Sequence, residues 1–350
     1  MNNRIVGLDL LRSIIMIFGP TFHASMLMDG AFGFDGYFSQ TKVTYSILHY
    51  TNPFRMELFF IISGFFASLV LEKKGIAHYS ESRKQRILKP TIVALVVILP
   101  LTCILMYGMQ GYTDLNGYFS YRHLWFLVTL SFISLLTLIS PLFILNAARQ
   151  LGEYLNKKSF FSITVYFCSA LIFFQLISRV ATRVLPESIE ILFQVGNVLF
   201  YIMPFFIGMV IFYIVKKPTI KTIVFYAIVF TVWYSFSVSS MSYMSLPGLS
   251  KTLMKDIFST IMCLSVFYFF FSLKIQSNKL ISELSRVALP FYLLHLPVLI
   301  LLSGVYSRVV NDNSDTLYSL TVIPLTMFLS YCASWFLTKN NLVRRSLGLI

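Results

Sequence analysis

Three ionisable side chains stand in one apolar stretch near the start of the chain: Asp9, Arg12 and His23. Groups of this kind inside an apolar helix are costly and usually serve a function. Eleven positions separate Arg12 from His23. On a continuous helix that is three turns plus roughly 20°, which puts both on one face with a rise of about 16 Å between them. Asp9, three residues before Arg12, falls on the same stripe and can pair with it. Gly19 and Pro20 lie between the two and can kink the helix. One helix would then present a cation at one mouth and an imidazole deep along its length. A neutral imidazole so placed can act as a general base. The plainer alternative is a packing histidine bonded to a neighbouring helix.

Further candidates follow along the chain. The segment FRMELFFIISGFF, from Phe54 to Phe66, carries Arg55 and Glu57 at one end and Ser63 with Gly64 in its interior. Ser-Gly permits close helix approach. Glu57 can orient His23 or pair with Arg55, and the sequence does not separate these. Arg83 and Arg86, three apart with Lys84 and Lys89 nearby, suit a phosphate-rich ligand. From composition alone, the cytoplasmic bias of basic residues and contact with anionic lipid account for them better. His123 opens HLWFL, and His295 sits in FYLLHLP just before Pro297. Each is a candidate for the site or for the core. His49 and His78 are assigned no role.

The elements that must position these groups are membrane helices. Of 350 residues, 57% are hydrophobic and 12% charged, about half the charge a soluble domain carries. Continuous apolar runs of about twenty residues recur from end to end, which selects helices over barrel strands. The spacing predicts about ten spans, near 7–28, 53–72, 91–110, 123–146, 159–179, 198–215, 220–240, 252–273, 286–306 and 317–338. The net charge of +14 gathers at alternate helix ends rather than in a nucleic-acid patch. Loops 73–90 and 147–158, Lys216, Lys217 and Lys221, Lys274, Lys279 and Arg286, and the tail with Lys339, Arg344 and Arg345 carry the basic excess. That alternation predicts both termini inside. Cys103, Cys168, Cys263 and Cys332 all fall in apolar runs with no metal-ligand spacing and no disulfide framework. The N-terminus lacks the features of a cleaved signal peptide. The expectation is an all-α polytopic membrane protein forming one transmembrane domain over 1–350. Its longest outer connection, 29–52, is either a lid or an ordinary connector.

Arg12 with His23, Asp9 in LDLLR, FFIISGF at 59–65, the Arg83–Arg86 pair and YLLHLP at 292–297 together resemble the membrane acyltransferase-3 family, over nearly the whole chain. FRMELFFIISGFF and HLWFL resemble its branch of succinyltransferases acting on osmoregulated periplasmic glucans. The resemblance implies an O-acyltransferase of the bacterial inner membrane. It would move an acetyl- or succinyl-class group from cytoplasmic acyl-CoA, a co-substrate rather than a bound cofactor, to a sugar hydroxyl of an extracytoplasmic glycan. It implies His23 as the catalytic histidine, Arg12 as its companion, and Arg83 and Arg86 as contacts for the CoA phosphates. Two departures stand out. No acid pair follows Trp125, and Glu57 replaces an aspartate found in many members. The competing class is a non-catalytic transporter or flippase of a glycan or lipid-linked precursor, which would show two related halves with interrupted helices. No such symmetry is visible.

Overall fold

The computed structural model describes residues 5–34, 38, 42–110, 121–215, 217–239, 247–310 and 315–347. Among these every regular element is helical. In chain order they are α1 (Val6–Ile17), α2 (Gly19–Met28), α3 (Lys42–Arg83), α4 (Lys89–Val93), α5 (Leu99–Gln110), α6 (Trp125–Ile139), α7 (Pro141–Leu155) and α8 (Phe160–Val184). There follow α9 (Glu187–Phe193), α10 (Val195–Ile211), α11 (Ile220–Ser239), α12 (Gly248–Ser272), α13 (Lys279–Val309), α14 (Asp315–Lys339) and α15 (Asn341–Ser346). Two five-residue π-helical stretches, Lys84–Leu88 and Ala94–Ile98, flank α4. Residues 35–37 and 39–41 of the outer connection 29–52 lie outside the described residues, as does Lys216.

Among the described residues eight helices are long and apolar enough to cross a bilayer, or up to nine if the bent pair α9–α10 is one span. The larger count expected from sequence has a physical origin. Expected spans 53–72 and 91–110 share one 60-residue apolar element, Tyr50–Met109. A single straight helix of 60 residues would measure about 90 Å at about 1.5 Å per residue, three times the roughly 30 Å hydrocarbon layer, so the element cannot be one straight span. Gly75 interrupts it at φ 80°, ψ 176°, a conformation open to glycine and closed to residues with a Cβ. Expected span 198–215 falls on the bent pair, which turns by 42° at Gln194, itself in the left-handed region. Large apolar side chains such as Ile139, Phe143, Val180, Phe236 and Phe328 are exposed. In water such a surface would be a liability, whereas lipid solvates it.

The chain forms two compact units, each assembled from three stretches. The first comprises 1–11, 53–81 and 132–276. Its α3 crosses α10 where a Cβ on Gly64 would collide with the Phe205 carbonyl and a Cβ on Gly208 with that of Ile61. Backbone meets backbone there, the use of small residues expected between membrane helices. Ser68 Oγ secures the crossing by donating to the Met209 carbonyl at 3.2 Å. Elsewhere in this unit Glu72 accepts from both Arg149 and Tyr213. Ser159 caps α8 by accepting from the Ser162 amide at 3.1 Å.

The second unit comprises 12–52, 82–131 and 277–350. Its centre is α13, packed on α2, α5 and α14. Asn278 starts α13 by accepting from the Ile281 amide at 2.8 Å. Leu27, Met106, Leu296, Leu299, Ile300 and Tyr318 share one buried core. Ser303 and the Tyr318 hydroxyl bond within it at 2.7 Å. The helices α2 and α13, which both contribute to this core, also carry His23 and His295.

Candidate active site

Three helical elements of the second unit converge through imidazoles. His23 comes from α2, His123 from the short 3-10 turn Arg122–Leu124 ahead of α6, and His295 from α13. Their ring centroids are 5.0 Å apart for His23–His295, 5.4 Å for His123–His295 and 6.2 Å for His23–His123. All three side chains are buried. Phe22, Phe32, Phe291 and Tyr292 ring them at centroid distances of 5.3 to 6.4 Å. Residues as far as 272 apart in sequence thus form one aromatic-walled cluster.

Local backbone chemistry explains each placement. The first helix divides at Phe18, whose φ/ψ of −75°/0° leaves regular helix. Pro20 has no N–H, so the Met16 carbonyl loses its donor and the chain bends. The count of rotation across eleven positions assumes regular helix throughout; the irregular step at Phe18 perturbs it, although Val6–Met28 still forms one 23-residue apolar span. Gly19 lies against the third imidazole. A Cβ there would sit 3.2 Å from His295 Nε2, 3.4 Å from its Cε1 and 3.6 Å from its Cδ2. Tyr121 and Arg122 both have positive φ, 59° and 47°, a turn that non-glycine residues rarely adopt. It delivers His123 to the start of α6.

Hydrogen bonds define two of the three rings. His123 Nε2 lies 3.2 Å from the Leu293 carbonyl. A carbonyl only accepts, so Nε2 carries the proton and Nδ1 keeps a lone pair. Nδ1 is buried and has no hydrogen-bond partner among the described residues. By the same rule His295 donates from Nδ1 to the Tyr292 carbonyl, leaving Nε2 as its acceptor nitrogen. Tyr292 returns a bond from its hydroxyl to the His123 carbonyl. Among the described residues no group of three or more His, Cys, Asp or Glu side chains has the arrangement to hold a metal ion. What the cluster can do is hold and pass protons.

The remaining sequence candidates fall elsewhere. Arg12, half-buried on α1, and the Arg83–Arg86 pair belong to the same unit as the histidines. Arg83 ends α3, half-buried, and Arg86 is exposed within the first π-helical stretch. Asp9, Glu57 and Ser63 belong to the first unit and are buried. Glu57 accepts from Ser259 Oγ on α12, so its partner is a hydroxyl that sequence did not suggest. Beside it Cys263 Sγ donates to the Phe54 carbonyl at 3.3 Å. Ser63 precedes the Gly64 crossing, where packing accounts for the small residue. Sequence reading missed Gly19 as a neighbour of His295, treating it only as a kink, and missed the clasp made by Tyr292 and Leu293. The second had a signal in FYLLHLP, where a proline stands four residues after Leu293.

A family model described as an acyltransferase domain matches residues 5–338. The glucans biosynthesis protein C of Escherichia coli K12 is 26% identical over 216 residues, covering 57% of this chain and 56% of that protein. The protein of the same name from Salmonella typhi is 26% identical over 135 residues, 35% of each chain. The chain thus spans little more than half the length of the first of these relatives. No solved structure matches it. With the family model matched over residues 5–338, nearly the whole chain, the protein belongs to the acyltransferase-3 family.

Proposed function

We propose that this acyltransferase takes an acyl group of the acetyl or succinyl class from cytoplasmic acyl-CoA and places it on a sugar hydroxyl of an extracytoplasmic glycan. It would do so from the bacterial inner membrane, with both termini inside. The observation that carries the reading is the buried meeting of His23, His123 and His295. A sugar hydroxyl is a weak nucleophile at neutral pH and needs a base in position as it attacks. In the proposed step the hydroxyl oxygen bonds to the thioester carbonyl carbon and its proton passes to His23. The tetrahedral intermediate then expels the sulfur, the C–S bond breaks, and the proton returns to the thiolate to give free CoA and the ester.

Support for the donor comes from the basic residues of the histidine unit. Arg12 is assigned to the companion role, and Arg83 and Arg86 to the CoA phosphates, where guanidinium–phosphate bonds are strong and directional. The basic excess on alternate loops supports the orientation. The name of the relatives, glucans biosynthesis protein C, supports a sugar polymer as acceptor. Glu57 is assigned a supporting part in its own unit through Ser259.

The test is transfer from labelled acyl-CoA to glucan in proteoliposomes. His23→Ala is expected to lower turnover by about 10² to 10⁴ while acyl-CoA binding persists. Near-normal turnover in that variant would remove His23 from the role and leave His123 and His295 as the bases to examine.

A further inference from the structure

The segment FYLLHLP places a proline four residues after Leu293. In a regular helix the N–H of residue 297 would bond to the carbonyl of residue 293. Pro297 lies inside α13 and has no N–H to give. The carbonyl left over is the one that His123 Nε2 reaches at 3.2 Å. Leu293, His123 and Leu296 are all buried, so water cannot readily take the vacancy, and an unpaired buried carbonyl is costly. The proline and the histidine therefore satisfy one another's surroundings across 174 residues of sequence.

We propose that Pro297 is a positioning residue: by withholding an N–H it reserves the Leu293 carbonyl for His123, which fixes that imidazole as the Nε2–H tautomer with Nδ1 as its basic nitrogen. The backbone carbonyl plays the part that a second side chain plays where a histidine must be held in one tautomer. This rests on reading the histidine cluster as the site of acyl transfer, but only for its catalytic consequence. The tautomer itself is a property of the resting protein.

Two replacements at 297 separate the missing N–H from the ring. Pro297→Ala restores the N–H. An α-hydroxy acid incorporated at 297 makes a backbone ester, which has neither N–H nor ring. Histidine tautomers are read by ¹⁵N NMR of the full chain in nanodiscs, with the His123 signals assigned by their loss in His123→Gln. The expected result is a fixed Nε2–H tautomer at His123 in the wild type and the ester, and a mixed or Nδ1–H population in Pro297→Ala. Turnover should fall at least about tenfold in Pro297→Ala and stay near wild type in the ester; loss of the correct tautomer has cost up to about 10⁴ in a protease triad. A His123 that keeps Nε2–H in Pro297→Ala overturns the proposal. So does an ester as defective as the alanine variant, since the ring and its kink would then be what matters. If wild-type protein shows no acyl transfer, the functional reading fails while the tautomer measurement still decides this one.

Discussion

Gly19→Ala is the substitution that tests the histidine geometry without threatening the fold. Gly19 has ordinary helical φ and opens α2, so alanine is conformationally acceptable and can even stabilise the helix by up to about 1 kcal/mol. The added methyl, however, would stand 3.2 Å from His295 Nε2, where ordinary van der Waals contact begins at 3.4 Å. His295 Nδ1 is anchored on the Tyr292 carbonyl and its ring lies 5.0 Å from that of His23, so the imidazole yields by a few tenths of an ångström. Misplacing a reacting group by 1 Å can cost about 10² in rate. Scaled logarithmically, 0.2 to 0.5 Å corresponds to about 3- to 10-fold. Gly19→Val, with two more carbons at the same place, should cost more. The assay is acyl transfer in proteoliposomes, paired with thermal unfolding of the purified protein. Expected are a Tm at or above wild type for Gly19→Ala and turnover reduced in the order Ala then Val. Wild-type turnover in both variants would refute the claim that imidazole placement matters. A Tm drop matching the activity loss would refute the claim that the effect is local.

Three other outcomes are expected. Arg83→Ala with Arg86→Ala should weaken acyl-CoA binding at least about tenfold, since hydrogen bonds to charged groups contribute about 1.5 to 3 kcal/mol each; equal affinity in a titration of the purified double variant would return both arginines to the basic bias of cytoplasmic loops. Gly64→Ala drives a Cβ into the Phe205 carbonyl, and because backbone lies on both sides, destabilisation of about 1 to 3 kcal/mol is expected, seen as a lower Tm in detergent; an unchanged Tm would contradict the close crossing. Reporter fusions after residues 80 and 350 should read cytoplasmic and one after residue 40 external, and an external signal at residue 80 would overturn the orientation.

The helical membrane class was legible because apolar run length and low charge are one-dimensional properties. Single residues near the site show where legibility ended. His23 declared itself through its spacing from Arg12, yet that spacing presumed a continuous helix which Pro20 and Phe18 interrupt. His123 and His295 each carried aromatic neighbours in sequence, a local signal. Their meeting at 5.4 Å is a tertiary fact between residues 172 apart, and no local pattern encodes it. Glu57 shows the reverse case: the sequence offered Arg55 and His23 as partners, and Ser259, 202 positions away, was outside any pattern that could be read. Spans 53–72 and 91–110 were separable by hydropathy alone, but the break at Gly75 depends on a backbone angle.

The bond from His123 to the Leu293 carbonyl also bears on how mutational maps of this protein would read. Every amino acid brings a carbonyl, so exchanging Leu293 for another apolar residue leaves the acceptor atom where it is. A scan that truncates side chains one at a time would score position 293 by its packing and pass over the atom that holds the imidazole. Position 297 would carry the signal instead, because proline alone among the encoded residues lacks the competing donor. Tolerance at one site and intolerance four residues later would then report a single interaction, written in main-chain atoms and invisible at the place where it is made.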